Sequence, residues 1–284
     1  MTEIIGTGLT GLVGSRTVEL NPQYHFTDLS LDTGFNILKP NTLEQIFKKN
    51  SAPVVLHMAA FTNTNANPSE NDLCRQINVD GTQNILDLCR KYNKYLIHIS
   101  TDFVFDGTKT GIYTETDSVS PVNGDVYAQT KAQAEKLVLD SRLPFAIIRI
   151  AYPYRSNFEP KIDLIRKIIG KLTNHEICKL FADQVTTPTF IDDIAVGLRL
   201  VIDHKPIGIY HLVGSSSQTV FEMGKLIASI FDFDPNLIQP SSLKDITARQ
   251  YPVNLALSNQ KFITEFGFKP RTLTDGLQVL KSQL

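Results

Sequence analysis

The chain has 284 residues, of which 42% are hydrophobic and 20% are charged, and its formal net charge is −1. This composition is typical of a globular protein and excludes a disordered chain. The 28 basic and 29 acidic residues are scattered, so the sequence has neither the basic stripe that nucleic acid requires nor a polybasic membrane patch. We therefore expect no nucleic-acid partner.

The sequence contains neither a recognisable targeting signal nor a recognisable cysteine motif. The longest uncharged apolar stretches, such as residues 54–61, are far shorter than the roughly 20 residues of a spanning helix. The first residues run into a predicted strand without the basic segment and cleavage site of a signal peptide. Cys74, Cys89 and Cys178 are odd in number and form no C-x-x-C pair, which argues against disulfides and against zinc. We expect a cytoplasmic protein with no membrane contact and no bound metal.

Short β-branched runs alternate with longer amphipathic stretches through the first half of the chain, as in parallel strands joined by crossover helices. The predicted strands are residues 3–5, 24–28, 53–58, 95–100 and 145–150. Asn41 followed by Glu44 predicts a helix N-cap, and apolar residues at helical spacing from Leu73 to Cys89 predict a further helix. The predicted fold class is α/β, with a doubly wound Rossmann-type parallel sheet.

The pattern changes after Arg149. Apolar residues between Ile162 and Leu172 predict an amphipathic helix. Residues 192–203 predict another helix and residues 208–213 a strand, and Thr219 with Glu222 forms a predicted capping box that opens a helix ending near residue 231. We therefore divide the chain into a first domain, residues 1–150 and 190–213, and a smaller C-terminal α/β subdomain, residues 151–189 and 214–284.

The first predicted strand leads into a glycine-rich loop, Gly6-Thr7-Gly8-Leu9-Thr10-Gly11-Leu12-Val13-Gly14. Glycines at a strand-to-helix turn let the backbone approach a pyrophosphate, whose charge is met by the helix N-terminus. Both G-x-G-x-x-G from Gly6 and G-x-x-G-x-x-G from Gly8 fit, and a tight turn without a ligand would need the same glycines. Asp28 ends the next strand, where an acid can bind the adenosine ribose and repel a 2′-phosphate. NADH or NADPH is the expected cofactor, and Asp28 favours NADH.

Three further side chains indicate acid–base catalysis. Tyr127 and Lys131 are four residues apart on a predicted helix and so share a face, although such a pair often has no function. An adjacent ammonium would lower the pKa of the phenol from about 10 and make it a usable general acid. Thr101 follows a predicted strand, at the edge where open α/β sheets bind ligands. With a hydride donor on the glycine loop, Thr101, Tyr127 and Lys131 predict a carbonyl reductase.

His57 and His98 lie on predicted core strands. A histidine in that setting is more often a hydrogen-bonded structural residue than a base. We expect structural roles for both, with His57 the better candidate for function because it precedes the segment expected to meet the cofactor.

Several segments match a single family. The most specific is Ser100-Thr101-Asp102-Phe103-Val104-Phe105-Asp106-Gly107, which differs from the family's S-T-D-Y-V-F-D-G only at Phe103. Other matches are Ala59-Ala60-Phe61-Thr62, Asn78-Val79-Asp80-Gly81-Thr82, Asp183-Gln184 and Thr187-Pro188-Thr189. On these segments the chain resembles the extended short-chain dehydrogenase/reductases and, among them, the dTDP-4-dehydrorhamnose reductases. The resemblance covers nearly the whole length.

This resemblance implies hydride transfer from NADH or NADPH to the C4 carbonyl of a nucleotide-linked 4-keto-6-deoxy sugar, with a monomer or a homodimer as the working form. The first domain would hold the dinucleotide and the second the substrate. The implied cofactor residues are Gly8, Gly11, Leu12, Val13, Gly14, Asp28, Asn36, Ile37, Ala59, Ala60, Phe61, Tyr127 and Lys131. The candidate substrate residues are Thr62, Thr101, Asp102, Tyr152, Arg155, Gln184 and Thr189, with Tyr152 at a position where the family has Trp.

Two alternatives stay open. A sugar-nucleotide 4-epimerase of the same superfamily uses the same Thr, Tyr and Lys, whereas a 4,6-dehydratase would carry Glu at Phe103 to eliminate water. In a different class, the β subunit of methionine adenosyltransferase resembles the same reductases and is a regulatory partner. Cofactor oxidation distinguishes the enzymes from the regulatory subunit.

Overall fold

The computed structural model describes residues 1–63, 68–246 and 251–284. Its strands are β1 (Thr2–Thr7), β2 (Tyr24–Asp28), β3 (Val54–His57), β4 (Tyr95–Thr101), β5 (Phe145–Ile150), β6 (Pro153–Tyr154), β7 (Cys178–Phe181), β8 (Val185–Thr186), β9 (Thr189–Phe190), β10 (Gly208–His211), β11 (Gln218–Thr219) and β12 (Ile238–Ser241). Its helices are α1 (Leu12–Leu20), α2 (Pro40–Lys49), α3 (Asn71–Arg75), α4 (Gly81–Lys91), α5 (Val126–Asp140), α6 (Leu164–Thr173), α7 (Ile191–His204), α8 (Val220–Ile230), α9 (Leu243–Ile246), α10 (Gln260–Phe266) and α11 (Leu273–Gln283).

The central sheet has six strands in the order β10-β5-β4-β3-β1-β2. The pairs β1–β2, β1–β3 and β3–β4 are parallel, and their register aligns Thr7 with His57 and His57 with His98. The α/β fold class is thereby confirmed, and each predicted strand is present with its bounds shifted by at most two residues. The strand order reverses between β1 and β3, and ligands of doubly wound sheets bind outside the carboxyl ends of the strands at that point.

Two helical predictions have different outcomes. The Thr219 capping box is present, because the Thr219 hydroxyl accepts from the Glu222 N–H and the Glu222 carboxylate accepts from the Thr219 N–H. The N-cap predicted at Asn41 is wrong, since α2 begins at Pro40 with Lys39 as its N-cap. Proline suits the first helical position because its fixed φ fits and its missing N–H would have no intrahelical partner.

The chain forms two compact units. The first comprises Met1–Val104, Val119–Arg149 and Ala195–Tyr210, and its core includes Ile5, Leu43, Val55, Leu96 and Ile147. The second comprises Phe105–Ser118, Ile150–Ile194 and His211–Leu284, and its core includes Ile165, Leu172, Met223, Ile227 and Leu277.

Residues 105–118, which the sequence-based division placed in the first domain, cluster with the second unit. The reason is local packing: Phe105 stacks on Tyr113 with ring centroids 4.2 Å apart, and Gly107 lies directly against Pro252. Within residues 1–63, 68–246 and 251–284, no helix is both long enough and apolar enough to cross a membrane.

Candidate active site

The loop between β1 and α1 distinguishes the two possible glycine registers. Gly8 has φ of +69°, in the left-handed region, and a Cβ there would lie 2.6 Å from the Ala59 nitrogen. A Cβ on Gly14 would collide with the Gly8 carbonyl oxygen. Gly11 is the N-cap of α1, and its N–H donates to the Gly8 carbonyl at 3.2 Å. At Gly6 a Cβ would meet only a leucine side chain, so the backbone requires the G-x-x-G-x-x-G register that starts at Gly8.

This loop has the properties of a dinucleotide cradle. The N-cap of α1 is Gly11, which has no side chain with which to cap the helix, and the positive end of a helix dipole attracts anions such as a pyrophosphate. Asp28 stands at the end of β2, and its Oδ1 accepts from the N–H of Ser30 at 2.9 Å and from its hydroxyl at 2.5 Å. The same Ser30 hydroxyl accepts from the Leu9 N–H at 2.8 Å. Asp28 is therefore tied to the glycine loop through one serine.

The segment after β3 is anchored at both ends. The Ala59 N–H donates to the Thr7 hydroxyl at 3.2 Å, and the Phe61 N–H donates to Asn78 Oδ1 at 2.8 Å. Asn78 also donates to the Phe61 carbonyl at 3.2 Å and to the Thr130 hydroxyl of α5 at 3.0 Å. It lies in a π-helical turn, Gln76–Asp80, between α3 and α4, and such turns occur frequently at functional sites. The sequence reading did not assign Asn78 to the site.

The remaining candidates for the cofactor lie nearby in the same unit. Asn36 Oδ1 accepts from the Leu38 N–H at 2.8 Å and so shapes its own loop. Ile37 is buried, directly against Gly81 at the start of α4, and its carbonyl accepts from Asn84 at 2.8 Å. Ala60 follows Ala59 without regular secondary structure, and Thr62 is exposed.

Thr101 and Tyr127 are brought together at the carboxyl end of β4. The Thr101 hydroxyl is within hydrogen-bonding reach of the Tyr127 phenol, and it also donates to Asp102 Oδ1 at 2.9 Å. The Phe103 ring packs edge-on against the Tyr127 ring, with centroids 5.9 Å apart. Asp102 is 2% exposed, and its burial raises the pKa of that carboxyl from 3.8 to about 7.

Lys131 lies on the same helix as Tyr127 but does not act on it as the spacing predicted. Its Nζ donates to the Ile99 carbonyl at 2.7 Å and lies 3.4 Å from His98 Nε2. Burial raises the pKa of Tyr127 above its usual value of 10, and Lys131 is not among the main causes of the shift. The expectation that the ammonium lowers the pKa of the phenol is therefore wrong for the protein without a ligand, because the lysine is directed at the strand. At neutral pH the phenol holds its proton, as a proton donor must.

His57 is the centre of a buried hydrogen-bonded chain. Thr82 donates to the Asn78 carbonyl at 2.7 Å, so its oxygen accepts from His57 Nε2 at 3.1 Å. His57 Nδ1 then accepts from the Thr7 hydroxyl at 2.7 Å. Burial lowers the pKa of His57 to about 3, so the ring is neutral and carries its proton on Nε2. The structural role expected for this histidine is thus observed, and the chain it completes fixes the end of β1 against the segment after β3.

A buried ion pair also escaped the sequence analysis. Arg149, on β5, donates through Nε and Nη2 to the two carboxylate oxygens of Glu135 at 2.9 and 2.7 Å. Both side chains are 1% exposed. Glu135 is one helical turn beyond Lys131 on α5, so this fork holds the helix that carries Tyr127 and Lys131 against the sheet.

The four remaining candidates lie in the second unit. Tyr152 has φ of +40°, its carbonyl accepts from the Thr189 N–H at 3.2 Å, and its phenol donates to Gln184 Oε1 at 3.3 Å. Thr189 is fully buried, and its hydroxyl donates to the Thr187 carbonyl at 3.2 Å, so in this conformation it serves the fold. Arg155 is buried, with its guanidinium 5.4 Å from the Phe158 ring.

Comparison with known proteins gives a consistent result. The family model described as the RmlD substrate binding domain matches residues 1–284. A dTDP-4-dehydrorhamnose reductase of Aggregatibacter actinomycetemcomitans is 27% identical over 289 residues, covering 95% of each chain. Methionine adenosyltransferase 2 subunit beta of Pongo abelii is 27% identical over 285 residues, covering 95% of this chain and 84% of the relative. The crystal structure of dTDP-4-dehydrorhamnose reductase from Bacillus anthracis in complex with NADP superposes with a TM-score of 0.91 at 24% identity, covering 100% of both chains.

Proposed function

Because this chain belongs to the RmlD substrate-binding domain family, we propose that it is a nicotinamide-dependent reductase of a nucleotide-linked 4-keto-6-deoxy sugar. The substrate proposed first is dTDP-4-dehydrorhamnose, on which a relative with 27% identity is named to act. The first compact unit would hold the coenzyme and the second the sugar nucleotide. The observation that carries the proposal is that the Thr101 hydroxyl, at the carboxyl end of β4, lies within hydrogen-bonding reach of the Tyr127 phenol. Tyr127 is on α5, the helix that also carries Lys131.

The residues of the first unit fit a dinucleotide. Gly8 and Gly14 keep side chains out of the cradle, and the N-terminus of α1 meets the pyrophosphate charge with the N–H groups of Leu12 and Val13. Asp28 would bind the adenosine ribose, and its negative charge opposes a 2′-phosphate. We therefore propose NADH as the preferred coenzyme. Asp28→Ser should raise kcat/KM with NADPH relative to NADH, and an unchanged ratio would remove Asp28 from this role.

The bound coenzyme supplies the hydride. Tyr127 would donate its proton to the C4 carbonyl oxygen, and the Thr101 hydroxyl, which donates to Asp102 Oδ1 in the structure, would turn to donate a hydrogen bond to the same oxygen. Lys131 would bind the ribose hydroxyls of the nicotinamide nucleoside. Asp102 and Lys131 are buried and Tyr127 is partly buried, and a hydrogen bond or charge interaction is stronger in such surroundings than in water.

A direct assay tests the proposal. Oxidation of NADH and of NADPH is followed at about 340 nm with a panel of nucleotide-linked 4-keto-6-deoxy sugars. We expect turnover with at least one member, and a loss of at least about a hundredfold in kcat for Tyr127→Phe with coenzyme affinity retained. Full activity of Tyr127→Phe would remove the phenol from the mechanism. Absence of turnover by the wild type across the panel would refute the reductase.

A regulatory subunit is the second candidate. It is favoured by the 27% identity to methionine adenosyltransferase 2 subunit beta over 95% of this chain. Under this hypothesis the protein binds coenzyme without oxidising it and comigrates with a methionine adenosyltransferase catalytic subunit in size-exclusion chromatography. The same runs distinguish a monomer from a homodimer. A cytoplasmic location is proposed with either function, and three free, buried cysteines are in keeping with it.

A further inference from the structure

His98 is placed to act on Lys131. It lies on β4 with its side chain 1% exposed, and its Nε2 is 3.4 Å from Lys131 Nζ. The lysine also donates to the carbonyl of Ile99, the next residue of the strand, at 2.7 Å. Two of the three N–H groups of the ammonium are thus directed at consecutive residues of β4. Within the described residues the third remains for a ligand.

The hydrogen bonds around the two neighbouring histidines require opposite tautomers. His57 carries its proton on Nε2, because Thr82 leaves only an acceptor there. His98 Nε2 faces an ammonium, which is only a donor, so this nitrogen must be the acceptor and the proton must be on Nδ1. Among residues 1–63, 68–246 and 251–284, that Nδ1 is buried without a hydrogen-bond partner. The reverse tautomer would set two donors against each other and still leave Nδ1 unpaired.

In the part of the chain that the structure describes, the hydrogen bonds of the Lys131 ammonium go to His98 and Ile99 of β4. On its own helix, Glu135 is one turn away, and both of its oxygens accept from Arg149 of β5. The other titratable neighbours are Tyr127 one turn earlier, Cys74 of α3, and His57 of β3, which pairs in register with His98. Burial and the nearby lysine charge lower the pKa of His98 well below 6.5, so its ring is a neutral acceptor.

We propose that His98 is a positioning residue for Lys131: its Nε2 lone pair, together with the Ile99 carbonyl, holds the ammonium at the carboxyl end of β4. With two N–H groups held by the strand, the third is aimed without the rotamer freedom of a solvated lysine. The consequence for ribose binding rests on the function proposed above, whereas the contact itself does not.

The tautomer of the wild-type protein gives the first test, and it needs neither substrate nor coenzyme. Long-range 1H–15N correlation spectra distinguish a protonated from an unprotonated imidazole nitrogen. We expect His98 to be protonated on Nδ1 and His57 on Nε2, so that His57 serves as an internal reference. A His98 ring protonated on Nε2 would overturn the proposal.

Two substitutions give the second test. His98→Leu removes the acceptor, whereas His98→Gln can keep one through its amide oxygen. Burial already lowers the pKa of Lys131 to about 8, and loss of a hydrogen bond to a charged group should lower it by about one further unit in His98→Leu. We expect NADH affinity to fall about tenfold in that variant, with both properties largely restored in His98→Gln. His211→Leu replaces another fully buried histidine and is the matched control, expected to change neither.

The lysine pKa is read from the 13Cε shift of labelled lysine, assigned through Lys131→Met, and coenzyme affinity from NADH fluorescence. Unchanged titration and affinity in folded His98→Leu would overturn the proposal. If His98→Leu does not fold, the wild-type tautomer and the His98→Gln titration decide, and a large fall of the pKa in His98→Gln with the Nε2–H tautomer would also overturn it. If the wild type turns over no keto sugar but its lysine titration depends on His98, the reductase hypothesis fails and the positioning role stands.

Discussion

The Glu135–Arg149 pair gives a prediction whose size follows from its burial. Glu135→Gln keeps the shape of the side chain but takes from the Arg149 guanidinium, which is 1% exposed, the carboxylate charge to which it is bonded at 2.9 and 2.7 Å. Breaking a fully buried pair costs about 3–5 kcal/mol, a large fraction of the about 5–15 kcal/mol by which domains are stable. For a chain of this size we expect the melting temperature to fall by roughly 10 °C.

Urea unfolding followed by circular dichroism measures this loss, and α5 offers its own control. Lys136 is the next residue and pairs with Asp140 at 2.8 Å, but both side chains are mostly exposed. Lys136→Ala should therefore change the free energy of unfolding by less than about 0.5 kcal/mol. The double variant Glu135→Leu, Arg149→Met, which buries no charge, should recover most of the stability. A loss below about 1 kcal/mol in Glu135→Gln would refute the argument from burial.

Three further predictions follow from single residues. Gly8→Ala should lower the free energy of unfolding by about 2–3 kcal/mol, since φ is +69° and the new Cβ would lie 2.6 Å from the Ala59 nitrogen. Gly11→Ala is the control, because φ is −75° there and the new Cβ would lie 3.3 Å from its nearest neighbour, the Gly8 carbonyl oxygen. In thermal unfolding this control should be within about 1 kcal/mol of wild type. Burial raises the pKa of Asp102 from 3.8 to about 7, so its contribution to folding is complete below about pH 4 and is lost as the pH rises to about 7. Asp102→Asn should thus gain up to about 4 kcal/mol relative to wild type between those pH values, and a constant difference in urea titrations would contradict this. Thr219→Ala should cost about 1 kcal/mol by removing the cap of α8, as measured by the same titrations.

Periodicity predicted the sheet well because its central strands β3, β4 and β5 are largely buried on both faces. Sequence patterns failed where a single neighbouring residue determines the local backbone, as at the start of α2 and in the glycine loop. Asn41 and Glu44 have the spacing of a capping box, but Pro40 takes the first helical position and moves the N-cap to Lys39. The glycine register likewise depended on which backbone approaches most closely, and that information is absent from the order of the glycines.

The spacing of Tyr127 and Lys131 shows the limit of a one-dimensional argument for the site. Four residues place both side chains on one face of a helix, yet the lysine is directed at β4, more than 30 residues earlier in the chain, by the Ile99 carbonyl and the His98 ring. Asn78 and Glu135 were missed for the same reason. Their roles arise from partners on other elements: the family match at residues 78–82 marks Asn78 but does not show what it bonds to, and no local pattern marks Glu135.

Strand β4 carries buried polar side chains that reduce stability close to the proposed catalytic residues. Buried polar atoms without a hydrogen bond cost about 1–3 kcal/mol each, and among the described residues such atoms include His98 Nδ1 and Ser100 Oγ on β4 and Asp102 Oδ2 directly after it. A strand selected only for folding would carry apolar side chains at these positions, as its neighbours Leu96 and Ile97 do. The polar row begins at the histidine that contacts Lys131 and ends at the carboxyl bonded to Thr101. These buried polar groups therefore reduce stability along the strand on which the proposed chemistry depends.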